Sequence, residues 1–335
     1  MFANLNDDDC DRVLGVLKAR RGSSGDVLFR QGDPGTSLIV VLEGQLVCTI
    51  KTDAGDEEVS RIGPGEVVGE LAFLDSEPRS ASVSSPAGAT VLEFSRESLE
   101  VLKRDAPNAA AVVIRNVLSD LTRRLRDIGE RMIDDAGGAA PMSMRAADVA
   151  QRSMRPVTGE QLRSVRALES YTAEDLDLLA HISTLKSFQG REALMTEGTS
   201  GDSCYLLLSG VVDVVRSSVP TPIAALGAGS IVGQLALIDR APRSASVIAR
   251  TDVMALEIRG AAFANLVKRT SPLALRLQEQ VALAAAKQLR LANQKYAELA
   301  SVRSVGPSSI RTLDDWDDGG ASTLELAVDL RSIRR

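Results

Sequence analysis

A chain of 335 residues with 44% hydrophobic and 25% charged residues has the make-up of an ordinary globular protein, long enough for two domains rather than one core. A formal net charge of -6 argues against a nucleic-acid-binding chain, and a single histidine, His181, excludes His-rich metal chemistry. Three widely spaced cysteines, Cys10, Cys48 and Cys204, predict reduced thiols in a cytoplasmic protein.

The chain starts with an acidic stretch, MFANLNDDDCD, without the basic-then-apolar order of a signal peptide. No apolar run approaches the ~20 residues of a membrane span. Short segments rich in β-branched residues follow: LIVVL (38–42), QLVCTI (45–50), EVSRI (58–62), RSASVS (79–84) and TVLEF (90–94). Glycines at 25, 32, 35, 44, 63, 65 and 69 punctuate them, and TDAGDEE (52–58) reads as an exposed hairpin tip. Many short strands at this spacing predict a sandwich or barrel.

SRESLEVLKRD (95–105) predicts a helix, and a longer one follows over 109–132. In it Ile114, Leu118, Leu121, Leu125, Ile128 and Met132 alternate four and three apart. That seam suits either a homodimer through helix 109–132 or a helix lying on its own barrel. A linker is expected over 134–167. A second set of strands and a helix over about 273–299 follow. The last segment, 301–335, contains LDDWDDGG and reads as a disordered acidic tail, or as a docking segment anchored by Trp316.

The second set repeats the first. GELAFLDSEPRSASV (69–83) and GQLALIDRAPRSASV (233–247) agree at ten of fifteen positions and lie 164 residues apart. Upstream, GDVLFRQGDPGTSLIVVLEG matches GREALMTEGTSGDSCYLLLSG. Domains are therefore expected at 1–133 and 168–300.

Within the repeated phrase, Gly69 permits a tight bend, and the first N–H groups of a short helical turn at Glu70-Leu71-Ala72 are free to meet an anion. Arg79 supplies a planar fork suited to phosphate, and Ser80 a hydroxyl. Glu70, a carboxylate beside an anion site, suits a sugar hydroxyl on the same ligand. The second copy offers Gly233, Gln234, Leu235, Ala236, Arg243 and Ser244 in the same order.

G-E-L-A, a short gap and P-R-S-A-S-V resemble the phosphate-binding cassette of cyclic-nucleotide-binding domains, found in the bacterial catabolite activator family and in protein kinase A regulatory subunits. The resemblance implies a mainly β fold with flanking α: two β-rolls (jelly rolls) of about eight strands, each followed by a long C-terminal helix acting as a lid. It implies that Glu70 binds a ribose 2′-hydroxyl. Arg79 and Ser80, with the amides near Leu71 and Ala72, would hold the cyclic phosphate, and Thr122 is a candidate base contact. The ligand implied is cAMP, with cGMP as the alternative, and no metal.

The function implied is a non-enzymatic cyclic-nucleotide sensor that changes conformation and controls an effector protein not named by the sequence. The alternatives are a transcription regulator of the catabolite activator type, a scaffold with one working site, and a cupin-like barrel enzyme, which one histidine opposes. The 134–167 linker and the tail show no helix-turn-helix pattern, so DNA binding is not expected. A kinase-regulatory dimerisation or inhibitor segment is not expected either, since the first domain starts near Met1. Arg20-Arg21-Gly22-Ser23 is read as a chance match to a basophilic kinase site. Gln234 keeps a hydrogen-bond acceptor but loses charge, which predicts a roughly 5- to 30-fold weaker second site. Its amide also adds a donor, predicting a taste for ligands with an acceptor there, and Gln234→Glu is expected to tighten the site.

Overall fold

The computed structural model describes residues 1–52, 55–135, 156–169, 171–217, 219 and 221–304. Most of the expected linker, the acidic tail and Trp316 lie outside these residues. The chain divides into a compact unit over Met1–Asn293 and a second over Gln294–Arg335. The described part of the second unit is helix, ending at Ser304.

The first half of the large unit runs α1 (Asp7–Gly15), β1 (Lys18–Gly22), β2 (Asp26–Phe29), β3 (Ser37–Gly44), β4 (Leu46–Thr52), β5 (Gly55–Ile62), β6 (Val67–Val68), α2 (Glu70–Asp75), β7 (Ser82–Ser85), β8 (Ala89–Ser95), α3 (Arg96–Asp105) and α4 (Pro107–Asp135). After the segment outside the described residues come α5 (Gly159–Arg163), a single 3-10 turn (Arg166–Leu168) and α6 (Ala173–Ile182). The second half then runs β9 (Ser183–Phe188), β10 (Ala193–Met195), β11 (Ser203–Ser209), β12 (Val211–Val215), β13 (Ala224–Gly227), β14 (Ile231–Val232), α7 (Gln234–Asp239), β15 (Ser246–Ala249), β16 (Val253–Arg259), α8 (Gly260–Lys268) and α9 (Pro272–Ser304).

Each half is a β-roll of two antiparallel sheets. The orders β1-β8-β3-β6 and β2-β7-β4-β5 recur eight strands later as β9-β16-β11-β14 and β10-β15-β12-β13. Alternation places Ile39, Val41, Leu46, Cys48, Val83 and Val91 in the first core. Leu38 and Val40, on the other face of β3, are buried too, so this strand is covered on both sides. Phe188, Tyr205, Leu207, Val212, Val247 and Val253 belong to the second core. Side-chain caps start the helices: Ser95 Oγ accepts from Ser98 N–H at 3.1 Å, and Thr172 and Asp175 form a reciprocal capping box.

Two sequence expectations change in detail. RSASVS becomes a strand only from Ser82, because the Arg79 backbone is tied to the β2–β3 loop instead: its N–H donates to Asp33 O at 2.8 Å, and its carbonyl accepts from Gly32 at 2.9 Å. The heptad residues Ile114, Leu118, Leu121, Ile128 and Met132 are all buried within one chain. Leu125, the remaining seam residue, is partly exposed, so most of that apolar face is covered without a second copy.

The halves meet through contacts that exchange under the repeat. Lys103 pairs with Glu279 at 2.9 Å, and Arg115 donates to Val267 O at 3.1 Å. Residues 103 and 267, and 115 and 279, are each 164 apart. The duplicated halves thus face each other as two copies would across a two-fold axis.

Candidate functional site

Each copy of the repeated phrase turns at a glycine. Gly69 (φ 87°) and Gly233 (φ 83°) are left-handed, a conformation that strains any residue with a Cβ. Neither offers a capping side chain to the short helix that follows. Leu71 and Ala72 are buried, as is Ala236; Leu235, Ser80 and Ser244 are partly exposed.

The arginines are buried beside these turns. Arg79 Nη1 donates to Ser37 O at 2.7 Å and to Gly69 O at 3.0 Å, and its guanidinium lies 4.0 Å from the Phe29 ring centroid. Arg79 Nε is buried without a partner. Arg243 donates to Gly233 O and Ser203 O, both at 2.6 Å. Burial holds both guanidinium groups below the usual arginine range; Glu70 is the largest opposing influence on Arg79, and Tyr205 on Arg243. Room for each arginine comes from a further glycine. A Cβ on Gly35 would sit 2.3 Å from Arg79 Nε, and one on Gly201 2.9 Å from Arg243 Cζ.

Glu70 is 3% exposed and Gln234 is 0% exposed. Glu70 Oε1 accepts from Arg124 Nη1 of α4 at 2.9 Å, and Arg124 also donates to Val67 O. Burial opposes the Arg124 charge, yet Glu70 and Asp120 together hold its pKa above the usual arginine range. In the second half Gln234 Nε2 donates to Gln288 Oε1 of α9 at 3.2 Å, while Gln288 Nε2 donates to Ile231 O at 2.8 Å. Glu70 Oε2 and Gln234 Oε1 remain buried without a partner. One of the two N–H donors of the Gln234 amide is thus engaged by Gln288, which turns the NH2 toward α9. A Gln234→Glu change alone would set a carboxylate against the Gln288 oxygen.

Arg124 and Gln288 were not foreseen as site residues. The signal was present: they are 164 residues apart, as are Glu70 and Gln234. Thr122, the candidate base contact, is buried and donates to Leu118 O of its own helix at 2.8 Å. His181 is exposed, and among the described residues no group of three or more His, Cys, Asp or Glu could hold a metal. Burial pushes the Cys204 thiol up to about 12, which leaves it inert. Arg20 and Arg21 lie within β1 and Gly22 ends it; Arg20 pairs with Glu93 at 2.6 Å.

A cavity with about 750 Å³ of empty space, part of it open to solvent, lies at the second cassette. Gly233, Leu235, Ala236, Arg243, Ser244 and Gln288 line one part of it. Another wall comes from the first half: Leu125, Ile128, Gly129 and Met132 of α4. The halves also hold each other's cassettes. Arg126 pairs with Asp239 and donates to Pro242 O at 3.1 Å. Arg290 pairs with Asp75 at 2.8 Å and donates to Pro78 O at 3.0 Å. All three partners are related by the 164-residue offset.

The Asp75 side chain in the second of these ion pairs is fully buried and that of Arg290 is 17% exposed. Arg290→Ala is expected to loosen the first cassette by about 1.5–3 kcal/mol, read as faster amide hydrogen exchange over 72–80. Arg126→Ala is expected to do the same over 236–244. Exchange confined to the mutated helix would show that these pairs do not brace the cassettes.

Comparison with known proteins agrees with this architecture. The family model described as "Cyclic nucleotide-binding domain" matches residues 19–105 and 185–270, just over half of the chain. The cAMP-dependent protein kinase regulatory subunit of Yarrowia lipolytica is 25% identical over 251 residues, 75% of this chain and 54% of that protein. Its counterpart from Aspergillus fumigatus is 26% identical over 276 residues, 80% of this chain and 56% of that protein. The chain thus spans about half the length of the curated relatives it matches. A solved regulatory domain of Toxoplasma gondii PKA, co-crystallised with cAMP, aligns over 82% of this chain and 89% of its own at 22% identity, with a TM-score of 0.30. Two matched segments, repeated sheet orders and paired cassettes lead to one assignment: the chain belongs to the cyclic nucleotide-binding domain family and carries that domain twice.

Proposed function

We propose that this protein is a cyclic-nucleotide receptor, with cAMP as its ligand, that controls a kinase catalytic subunit or a similar effector and is not itself an enzyme. One observation carries the reading. In each half a buried side-chain oxygen with no protein partner, Glu70 Oε2 or Gln234 Oε1, lies close in sequence to a buried arginine at a left-handed glycine. A ligand hydroxyl would satisfy the oxygen, and a phosphate on the same rigid frame would satisfy the arginine fork.

Gly69, Leu71, Ala72, Arg79 and Ser80 would grip the phosphate and Glu70 the ribose in the first site. Gly233, Leu235, Ala236, Arg243 and Ser244, with Gln234, would do so in the second. We place the functional domains at 1–133 and 168–300, each ending in its long helix. The names of the curated relatives support a kinase partner. Helix 109–132 is not proposed as a homodimer interface, since five of its six seam residues are buried within the chain. Among the described residues no helix is long and apolar enough to cross a membrane, and the three cysteines are unpaired. The second fact supports a cytoplasmic location.

Titration calorimetry of the full chain with cAMP and with cGMP tests the proposal. Two cAMP sites of unequal affinity are expected, with cGMP weaker at both. No heat with either nucleotide, under conditions where the protein is folded, would overturn it.

A further inference from the structure

We propose that Gln288 is the positioning residue of the second site: it turns Gln234 so that its oxygen, and not its NH2, meets a ligand hydroxyl. Site two then takes the same class of ligand as site one through a neutral acceptor. The inference rests on the cyclic-nucleotide reading above and deepens it.

The orientation follows from one fixed group. Ile231 O is a backbone carbonyl and can only accept. Gln288 therefore turns its Nε2 to it, at 2.8 Å, which commits Gln288 Oε1 to the opposite side. An oxygen there needs a donor, and Gln234 Nε2 supplies it at 3.2 Å. Gln234 Oε1 is left over, buried and unpartnered. The first half performs the same relay with charges. Val67 O and Glu70 Oε1 both accept from Arg124, and Glu70 Oε2 is left over. Positions 67 and 231, 70 and 234, and 124 and 288 are each 164 apart.

The exchange of glutamate for glutamine is therefore one half of a matched change. Gln234 facing an arginine at 288 would turn its oxygen to that arginine and present NH2 to the ligand. With glutamine at both positions the ligand side keeps an acceptor. A buried acceptor without a partner is destabilising, and the fold carries one at the same place in both halves. A ligand hydroxyl accounts for both.

The test uses the full chain carrying Arg79→Ala, which weakens site one at least ~10-fold, with the Arg79→Ala, Arg243→Ala pair as the blank for site two, and compares cAMP with 2′-deoxy-cAMP by calorimetry. The chain with Gln234 and Gln288 intact is expected to bind cAMP about 3- to 10-fold more tightly than the deoxy analogue. Gln288→Arg, which only donates, is expected to lower that ratio: the turned NH2 can still donate to the hydroxyl oxygen, but the hydroxyl proton loses its acceptor. Adding Gln234→Glu is expected to restore it to the starting value or above. A ratio unchanged by Gln288→Arg, or not restored by the double change, overturns the positioning role. Thermal unfolding without nucleotide provides a second reading. Gln234→Glu and Gln288→Arg should each lower the midpoint, and the pair should recover it. Additive losses overturn the relay itself. Recovery of the midpoint without cAMP binding at site two in any variant overturns the ligand class, and with it the reading of this site above.

Discussion

Arg79→Ala is expected to lower the affinity of the first site for cAMP by at least ~10-fold, and up to ~150-fold, while the second site titrates unchanged. The side chain has one task within the fold and, on the proposal above, a second toward the ligand. Its Nη1 ties Ser37 O and Gly69 O together at 2.7 and 3.0 Å, joining the start of β3 to the turn before α2. Its buried Nε has no protein partner and is available to a phosphate oxygen. A hydrogen bond to a charged group contributes about 1.5–3 kcal/mol, which sets the expected range. Arg79→Lys retains charge but not the fork, so it should fall between parent and alanine. Gly35→Ala should mimic part of the effect, since its Cβ would sit 2.3 Å from Arg79 Nε and force the guanidinium aside. Calorimetry with Arg243→Ala as the control for site two reads all of these. An unchanged first-site affinity in Arg79→Ala would show that the cassette does not bind the phosphate.

Arg124→Ala is expected to destabilise the protein by about 3–5 kcal/mol, because it removes the hydrogen-bonded cation of the buried Glu70 side chain and leaves only the more distant Arg79 opposite it. The Glu70 side chain is 4% exposed and that of Arg124 24%. Val67 O would lose its donor in the same step. An exposed ion pair would contribute only about 0–1 kcal/mol, so the size of the loss separates the two situations. Replacing both partners, Glu70→Gln with Arg124→Gln, rebuilds in the first half the neutral relay of the second. It is expected to recover most of the lost stability. Urea denaturation of the two variants beside the parent gives the comparison. A loss under about 1 kcal/mol for Arg124→Ala would mean that the pair behaves as a solvated one.

Both predictions concern residues that differ in how openly the sequence announces them. Arg79 could be named from the chain alone. It lies ten residues after Gly69, inside a phrase that the chain writes twice, and everything the phrase needs is local: a glycine for the bend, small residues, a proline, an arginine. The strands were legible for the same reason, since alternation of β-branched residues and glycine punctuation are short-range patterns. The duplication supplied the domain number without any knowledge of the fold.

What the sequence by itself determined was therefore the repeat, its β class, the helices after each roll and the position of both repeated phrases. Only the tertiary structure decided what those cassettes touch. Arg124 and Gln288 stand 54 residues after the side chains they engage, and which face of a long helix meets a cassette depends on how it returns across the roll. Pairing Arg126 with Asp239 and Arg290 with Asp75 joins residues 113 and 215 positions apart, through packing that no local pattern encodes. The heptad seam shows the same limit: periodicity marks a face that must be buried, but it does not say whether residues of the same chain or a second molecule bury it. The meaning of Gln234 was decided there too. An amide has a donor and an acceptor, and the backbone carbonyl of Ile231, acting through Gln288, selects which of them is left free.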